Sequence, residues 1–171
     1  MFPFLHLEER IKGMDITLCF IKETFFVKNS DYKKLLDIGD TAKQAKRTHL
    51  CVKIEMDGNS YYIPLRNNLG EEVRKFGRIG HAIPSAKRKN AGLDYRYALI
   101  INDDSFIEFQ TEKKIPETQY RKLSNDYEII VAEFSVYVKG YIKAAKKKRN
   151  EIEPLYKESS LINFFSELGI V

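Results

Sequence analysis

The runs "HLCVKIEM" and "SYYIPL" are separated only by Asp57, Gly58 and Asn59. Asp-Gly supplies the left-handed residues that a tight hairpin turn needs, and the β-branched and aromatic residues on either side suit a pleated sheet. An antiparallel hairpin is therefore the feature around which the rest of the chain has to be built. "YRYALIIN" and "SFIEF" flank Asp103-Asp104 and predict a second hairpin. "ITLCFIKETFFV", residues 16–27, reads as one further strand. "NSDYKKLLDIG" predicts a short helical turn, with Asn29 or Ser30 as N-cap and Gly39 as its end, and "DTAKQAKRT" predicts an exposed connection.

Beyond Pro116 the periodicity changes. Tyr120, Leu123, Tyr127, Ile130, Phe134, Tyr137, Tyr141 and Ala145 recur at steps of three and four, the signature of one long amphipathic helix. Its tyrosines can stack on bases or pack a core, and their place on the stripe favours the core. The helix opens at Pro116 or Thr118 and closes through "KAAKKKRN". There Lys146, Lys147, Lys148 and Arg149 suit a helix C-terminus and can equally contact nucleic acid. A last short helix over residues 161–168 ends at Gly169. The expectation is one α+β domain over residues 14–171: a mostly antiparallel sheet of five or six strands, covered by helices, the longest near the C-terminus. Residues 1–13 read as a detachable extension, because "LEERIKG" is what purine-rich, ribosome-binding-site-like DNA encodes when translated. On that reading Met14 is the natural start, and the intact mass of protein made from its own locus decides it.

No run approaches 18 uninterrupted apolar residues and no secretory signal opens the chain, so a cytoplasmic protein without membrane contact is expected. Cys19 and Cys51 form neither a disulfide framework nor a zinc motif and read as buried thiols. Between Arg66 and Arg96 stand eight basic and three acidic residues, which accounts for the whole net charge of +5. A neutral protein with one positive segment suits a polyanion. That segment, about 30 residues with four glycines and no clean period, reads as one long functional loop.

Metal, dinucleotide and triad chemistry are all poorly served. His6, His49 and His81 are scattered, and Gly77, Gly80 and Gly92 have the wrong spacing for a phosphate loop. RNA offers a reaction that needs no cofactor: its 2′-OH attacks the adjacent phosphate, leaving a 2′,3′-cyclic phosphate and a 5′-OH. Such a site must take up one proton, supply another and neutralise the crowded phosphorane. His81 can serve as acid or base. Lys87, Arg88 or Lys89 can stabilise the phosphorane, while Arg66 and Asn68 can hold the phosphate and orient the 2′-OH. On the residues alone, an RNA-binding module without chemistry fits as well.

"DGNSYYIPLRNN", followed at a distance by "GLDYRYALIIN", resembles the toxins of type III toxin–antitoxin systems, the ToxN, CptN and TenpN group. The Arg-Asn-Asn version with a later Gly-Leu-Asp-aromatic is closest to the CptN and TenpN branches. "FVKNSDYKKLL" and the long helix fall at the corresponding places. The resemblance implies a metal-independent endoribonuclease toxin with a sheet core similar to the Kid and MazF toxins. It also implies phage defence, single-stranded RNA substrates rather than DNA, and inhibition by a small antitoxin RNA. That RNA is cut from a repeat and folded as a pseudoknot, and toxin and RNA close into RNA-bridged hetero-oligomers. Carried over, Tyr32 and Lys33 match the short helix beside the site, and Arg66, Asn67 and Asn68 match the polar residues after Pro-Leu. His81 and "SAKRK" fall in the variable loop. Other branches carry Thr-Ser after Pro-Leu, so a shared hydroxyl role does not transfer. The expected catalytic set is Tyr32, Arg66, Asn68, His81 and Lys87. The expected RNA contacts are Lys33, Asn67, Arg74, Lys75, Arg78, Arg88, Lys89, Asp94, Arg96, Lys146 and Lys147. Asp94 has two readings, catalysis or the orientation of a neighbour and capping of a turn.

Overall fold

Asp57 and Gly58 do what their chemistry allows: both take left-handed backbone angles, φ 52° and 78°, and join β2 (Cys51–Met56) to β3 (Asn59–Arg66). Met56 pairs with Asn59 directly beside the turn. This computed structural model describes residues 16–37, 39–45, 50–76, 78–110 and 115–171, without the side chains of Ala45, Arg74 and Lys75. The proposed start at Met14, together with His6 and His49, lies outside the described residues.

Seven strands are described, and every pairing between them is antiparallel. The order is β4 (Gly80–Ala82), β5 (Gly92–Asp94), β3, β2, β1 (Leu18–Ile21) and β7 (Ile107–Phe109). β6 (Leu99–Ile100) also pairs with β3. Thus β5 and β6 share one edge of β3, at Leu65–Arg66 and Tyr61–Tyr62 respectively, and the 3₁₀ turn Tyr95–Tyr97 separates them. Pro64 sits in that gap. Leu65 N donates to Leu50 O on the other edge, so the N–H that Pro64 lacks would have faced the gap, where no strand requires it. The α+β class read from the sequence is the class found, with the two extra strands drawn from the 67–96 segment.

Several local expectations are corrected. Only the first half of residues 16–27 is a strand, and Glu23–Lys28 forms helix α1. Phe25 and Phe26 are both buried, and neighbouring residues share a buried side on a helix but point to opposite faces of a strand. Residues 29–37 are not helical, because Lys34 and Asp37 take positive φ. The helix forms later instead, as α2 (Thr41–Ala45), where Asp40 Oδ1 accepts the Lys43 N–H at 2.9 Å. The second hairpin does not form, since β6 joins β3 while β7 joins β1. Asp103 caps a 3₁₀ turn, Asp104–Phe106, by accepting from Ser105 N. The 67–96 segment is not one loop but holds α3 (Glu72–Phe76), β4 and β5.

The long helix α4 spans Glu117–Lys146, with Pro116 as N-cap. Leu123, Ile130, Phe134, Tyr137 and Tyr141 are buried, and Tyr120 and Tyr127 pack against them, so the tyrosines serve the core. Phe134 meets Tyr61 edge-on at 5.1 Å, which docks α4 on the central hairpin. The C-terminal segment forms a 3₁₀ turn, Ser160–Asn163, rather than a helix through residue 168. It packs inward through Leu161 and Phe164. Cys19 and Cys51 face each other across β1 and β2 as buried thiols not joined in a disulfide, both with raised pKa because burial disfavours the thiolate. Among the described residues no helix is long and apolar enough to cross a membrane.

Candidate nucleic-acid interface

Where β3 ends, register decides which side chains meet. Arg66 pairs with Gly92, and Asp94, two residues further along β5, points to the same face. Arg66 Nη1 donates to Asp94 Oδ2 at 2.9 Å. Arg96 grips the same carboxylate from the other side, with Nε to Oδ1 at 2.9 Å and Nη2 to Oδ2 at 2.8 Å. Asp94 also caps the 3₁₀ turn, because its Oδ1 accepts the Arg96 N–H. Of the two readings of Asp94, the structure supplies the capping and orienting geometry. Burial on its own lowers the Arg96 pKa, and Asp94 more than offsets this, so the value ends up raised. Both guanidinium carbons lie over the Tyr97 ring, at 5.3 and 5.4 Å. Gly92 makes the close strand approach possible: a Cβ there would fall 2.3 Å from His81 O and 2.5 Å from Leu69 Cδ1.

Arg66 is a shared wall between two recesses. The smaller, of about 560 Å³, brings Arg66, Asn67, Lys87 and Arg88 together with no carboxylate among its described lining residues. Arg88 Nη1 donates to Asn67 Oδ1, and Arg88 N is held by Ser85 O and Ser85 Oγ, both at 3.2 Å, which fixes the tip of "SAKRK" beside the strand end. The larger recess, of about 800 Å³, is lined by Arg66, Asn68, Arg96, Tyr97 and Lys157, and also by Glu71, Glu72 and Glu158. Asn68 Oδ1 accepts the Gly70 N–H at 3.0 Å, which turns the chain out of the sheet.

His81 is not brought to Arg66. It pairs with Leu93, one residue out of phase with Asp94, so its ring points to the opposite face of the sheet, against α4. There Nδ1 lies 3.0 Å from Glu133 Oε2, and Nε2 lies 2.9 Å from Asp126 Oδ2. Tyr95 Oη donates to the same Glu133 oxygen at 2.8 Å, and Lys122 Nζ reaches Asp126 at 2.6 Å. This is a clamp between β4 and α4 rather than an open acid–base group. Desolvation raises the Asp126 pKa, but hydrogen bonds from His81 and Lys122 outweigh it and hold the value low. A depressed carboxylate contributes stability above its unfolded value and loses it as pH falls through the folded value, so acidification loosens the clamp. His81→Ala is expected to cost about 2 kcal/mol, the scale of hydrogen bonds to charged groups, and to lower the melting temperature by roughly 4–8 °C. Calorimetry of the pure variant checks this, and an unchanged melting temperature would show that the clamp contributes nothing.

The remaining residues divide. Tyr32 packs edge-on against Phe25 and Phe164, at 6.0 and 5.4 Å, outside both recesses, and burial raises its pKa. The Lys33 backbone exchanges two hydrogen bonds with the Asn163 side chain, which ties this loop to the C-terminal turn. Arg78, Lys89, Lys146 and Lys147 are exposed and line neither recess. Arg74 and Lys75 lie in α3, with side chains outside the described part. Sequence reasoning missed Tyr97 and Lys157. Tyr97 stood inside the quoted "GLDYRY" motif, whereas Lys157 reaches the recess only through the C-terminal fold. Among family models, curated proteins and solved structures, none matches this chain.

Proposed function

We propose that the chain is a metal-independent endoribonuclease of the type III toxin kind, acting on single-stranded RNA and held in check by a folded antitoxin RNA on the same basic surface. The observation that carries this reading is the smaller recess, where Arg66, Lys87 and Arg88 converge beside Asn67 without an opposing carboxylate among its described lining. Such a set suits an RNA phosphate and, more strongly, the extra charge of a phosphorane. In the reaction the 2′-oxygen loses its proton and bonds to phosphorus, and the bond from phosphorus to the 5′-oxygen breaks. The leaving oxygen takes up a proton. The products are a 2′,3′-cyclic phosphate and a 5′-OH. Arg66, already held by Asp94, offers its remaining N–H groups to the phosphate, while Lys87 and Arg88 neutralise developing charge.

One observation favours a second reading, an RNA-binding module without chemistry. His81, the acid–base candidate, lies across the sheet between two carboxylates. Incubation of the pure protein with RNA in EDTA separates the two. The proposal expects RNA fragments ending in cyclic phosphates. Salt-sensitive binding with RNA left intact at high protein concentration establishes the binding module. Absence of salt-sensitive binding overturns both and leaves a protein-interaction domain.

A further inference from the structure

Gln119 is an uncharged side chain that lines the smaller recess together with Arg66, Lys87 and Arg88. It stands in the first turn of α4 and is only 5% exposed. Its Nε2 donates to Ile83 O at 2.7 Å, which ties the helix to the residue just after β4 and fixes which end of the amide is which. Oε1 therefore takes the other side, and among the described residues nothing donates to it. The other side-chain oxygens of the described lining differ. Asn67 Oδ1 and Ser85 Oγ already accept from Arg88, and the Thr118 hydroxyl can donate as readily as accept. A carbonyl oxygen can only accept, and leaving one unpaired at a nearly buried position is costly. The recess thus calls for a ligand that brings negative charge to three cations and a hydrogen-bond donor to Oε1. A phosphate on the cations brings acceptors alone, since neither its oxygens nor the sugar ring oxygen can donate. Within an RNA backbone the 2′-OH is the one donor, and a DNA backbone has none.

We infer that Gln119 Oε1 accepts the 2′-OH of the nucleotide whose phosphate lies on Arg66, Lys87 and Arg88, and that Gln119 is the residue by which this recess tells RNA from DNA. Its role is positioning. An amide carbonyl is too weak a base to keep the proton, so Gln119 holds the 2′-oxygen beside the phosphate and leaves removal of the proton to another group. This inference rests on the reading of the smaller recess as an RNA phosphate site.

The test uses labelled random-sequence RNA 10-mers in which methylene replaces each 5′-bridging oxygen. These keep the 2′-OH and the phosphate charge, but no oxygen can leave, so binding is read without cleavage. The comparison oligomers have the same linkage and carry fluorine in place of the 2′-OH, which keeps the ribose pucker and removes the donor. Fluorescence anisotropy is expected to show the 2′-OH oligomers bound about fivefold more tightly by the intact protein, the scale of one hydrogen bond. In Gln119→Met, which matches the side chain in length without its carbonyl, the two affinities are expected to become equal. Gln119→Ala serves the same comparison with no bulk to accommodate. Loss of the Ile83 bond weakens both oligomers alike, so the ratio isolates the 2′-OH contact. Equal affinities in the intact protein overturn the inference and leave the RNA reading standing. So does a preference that persists in both variants, which assigns the hydroxyl to another acceptor such as Thr118. Failure of both oligomers to bind the intact protein overturns the inference and the RNA reading together.

Discussion

Asp94→Ala is expected to be the most destabilising single substitution at the interface, at about 3–5 kcal/mol. Asp94 is fully buried and Arg96 nearly so, with only 8% of its side chain exposed. Removal of the carboxylate leaves a guanidinium out of water, with the Leu69 carbonyl at 3.4 Å as its remaining hydrogen-bond acceptor. It also uncaps the 3₁₀ turn that carries Tyr95 and Tyr97. The loss should propagate, because Tyr95 donates to Glu133 in the His81 clamp and the Ser160 hydroxyl donates to Arg96 O and Ala98 O. For a chain of this size the melting temperature should fall by roughly 6–20 °C. Asp94→Asn keeps the shape but not the charge, so it should fall between the parent and the alanine variant. A loss under about 1 kcal/mol for Asp94→Ala, read by urea denaturation, would mean that the arginines find water or other acceptors and that Asp94 is no keystone.

What the sequence disclosed of this arrangement follows the range of the interactions involved. The β2–β3 hairpin and α4 were legible because their signals are local: two left-handed turn residues in one case, a three-and-four apolar spacing in the other. The second hairpin was misread because Asp103 and Asp104 look like hairpin residues in any context. The flanking runs actually join β3 and β1, which no local signal records. Phe25 and Phe26 were read as strand on propensity, and tertiary burial on one side of a helix overrode it. At the site, Arg66 to Asn68 were legible as the mouth of a strand, since three polar residues follow five buried ones. The face of His81 was not. It depends on whether His81 opposes Leu93 or Asp94, a one-residue matter of register fixed by pairing across the 67–96 segment. A sequence read as an irregular loop carries no parity, so Arg66 and His81 looked like neighbours when the sheet stands between them.

Arg66→Ala is expected to separate function from stability more cleanly than any other change here. Arg96 still pairs with Asp94 when Arg66 is gone, so the buried carboxylate is not orphaned. The Arg66 side chain is itself 30% exposed, and the stability cost should stay near 1 kcal/mol. Function is affected differently, because Arg66 alone among the cations lines both recesses. On the proposed endoribonuclease reading, cleavage in EDTA should fall about 100-fold with it removed, the scale of losing one charged group aimed at the transition state. The slope of log affinity against log salt should shrink by about one, as for one lost phosphate contact. Arg66→Lys decides between charge and geometry. A lysine restores the counterion slope, but its ammonium cannot hold Asp94 and a phosphate oxygen at once with the fixed fork of a guanidinium. Binding should therefore recover while cleavage stays low. Full recovery of cleavage by lysine would show that charge alone suffices and that the Asp94 brace does not position the group. Unchanged cleavage in Arg66→Ala would remove the strand end from the reaction altogether.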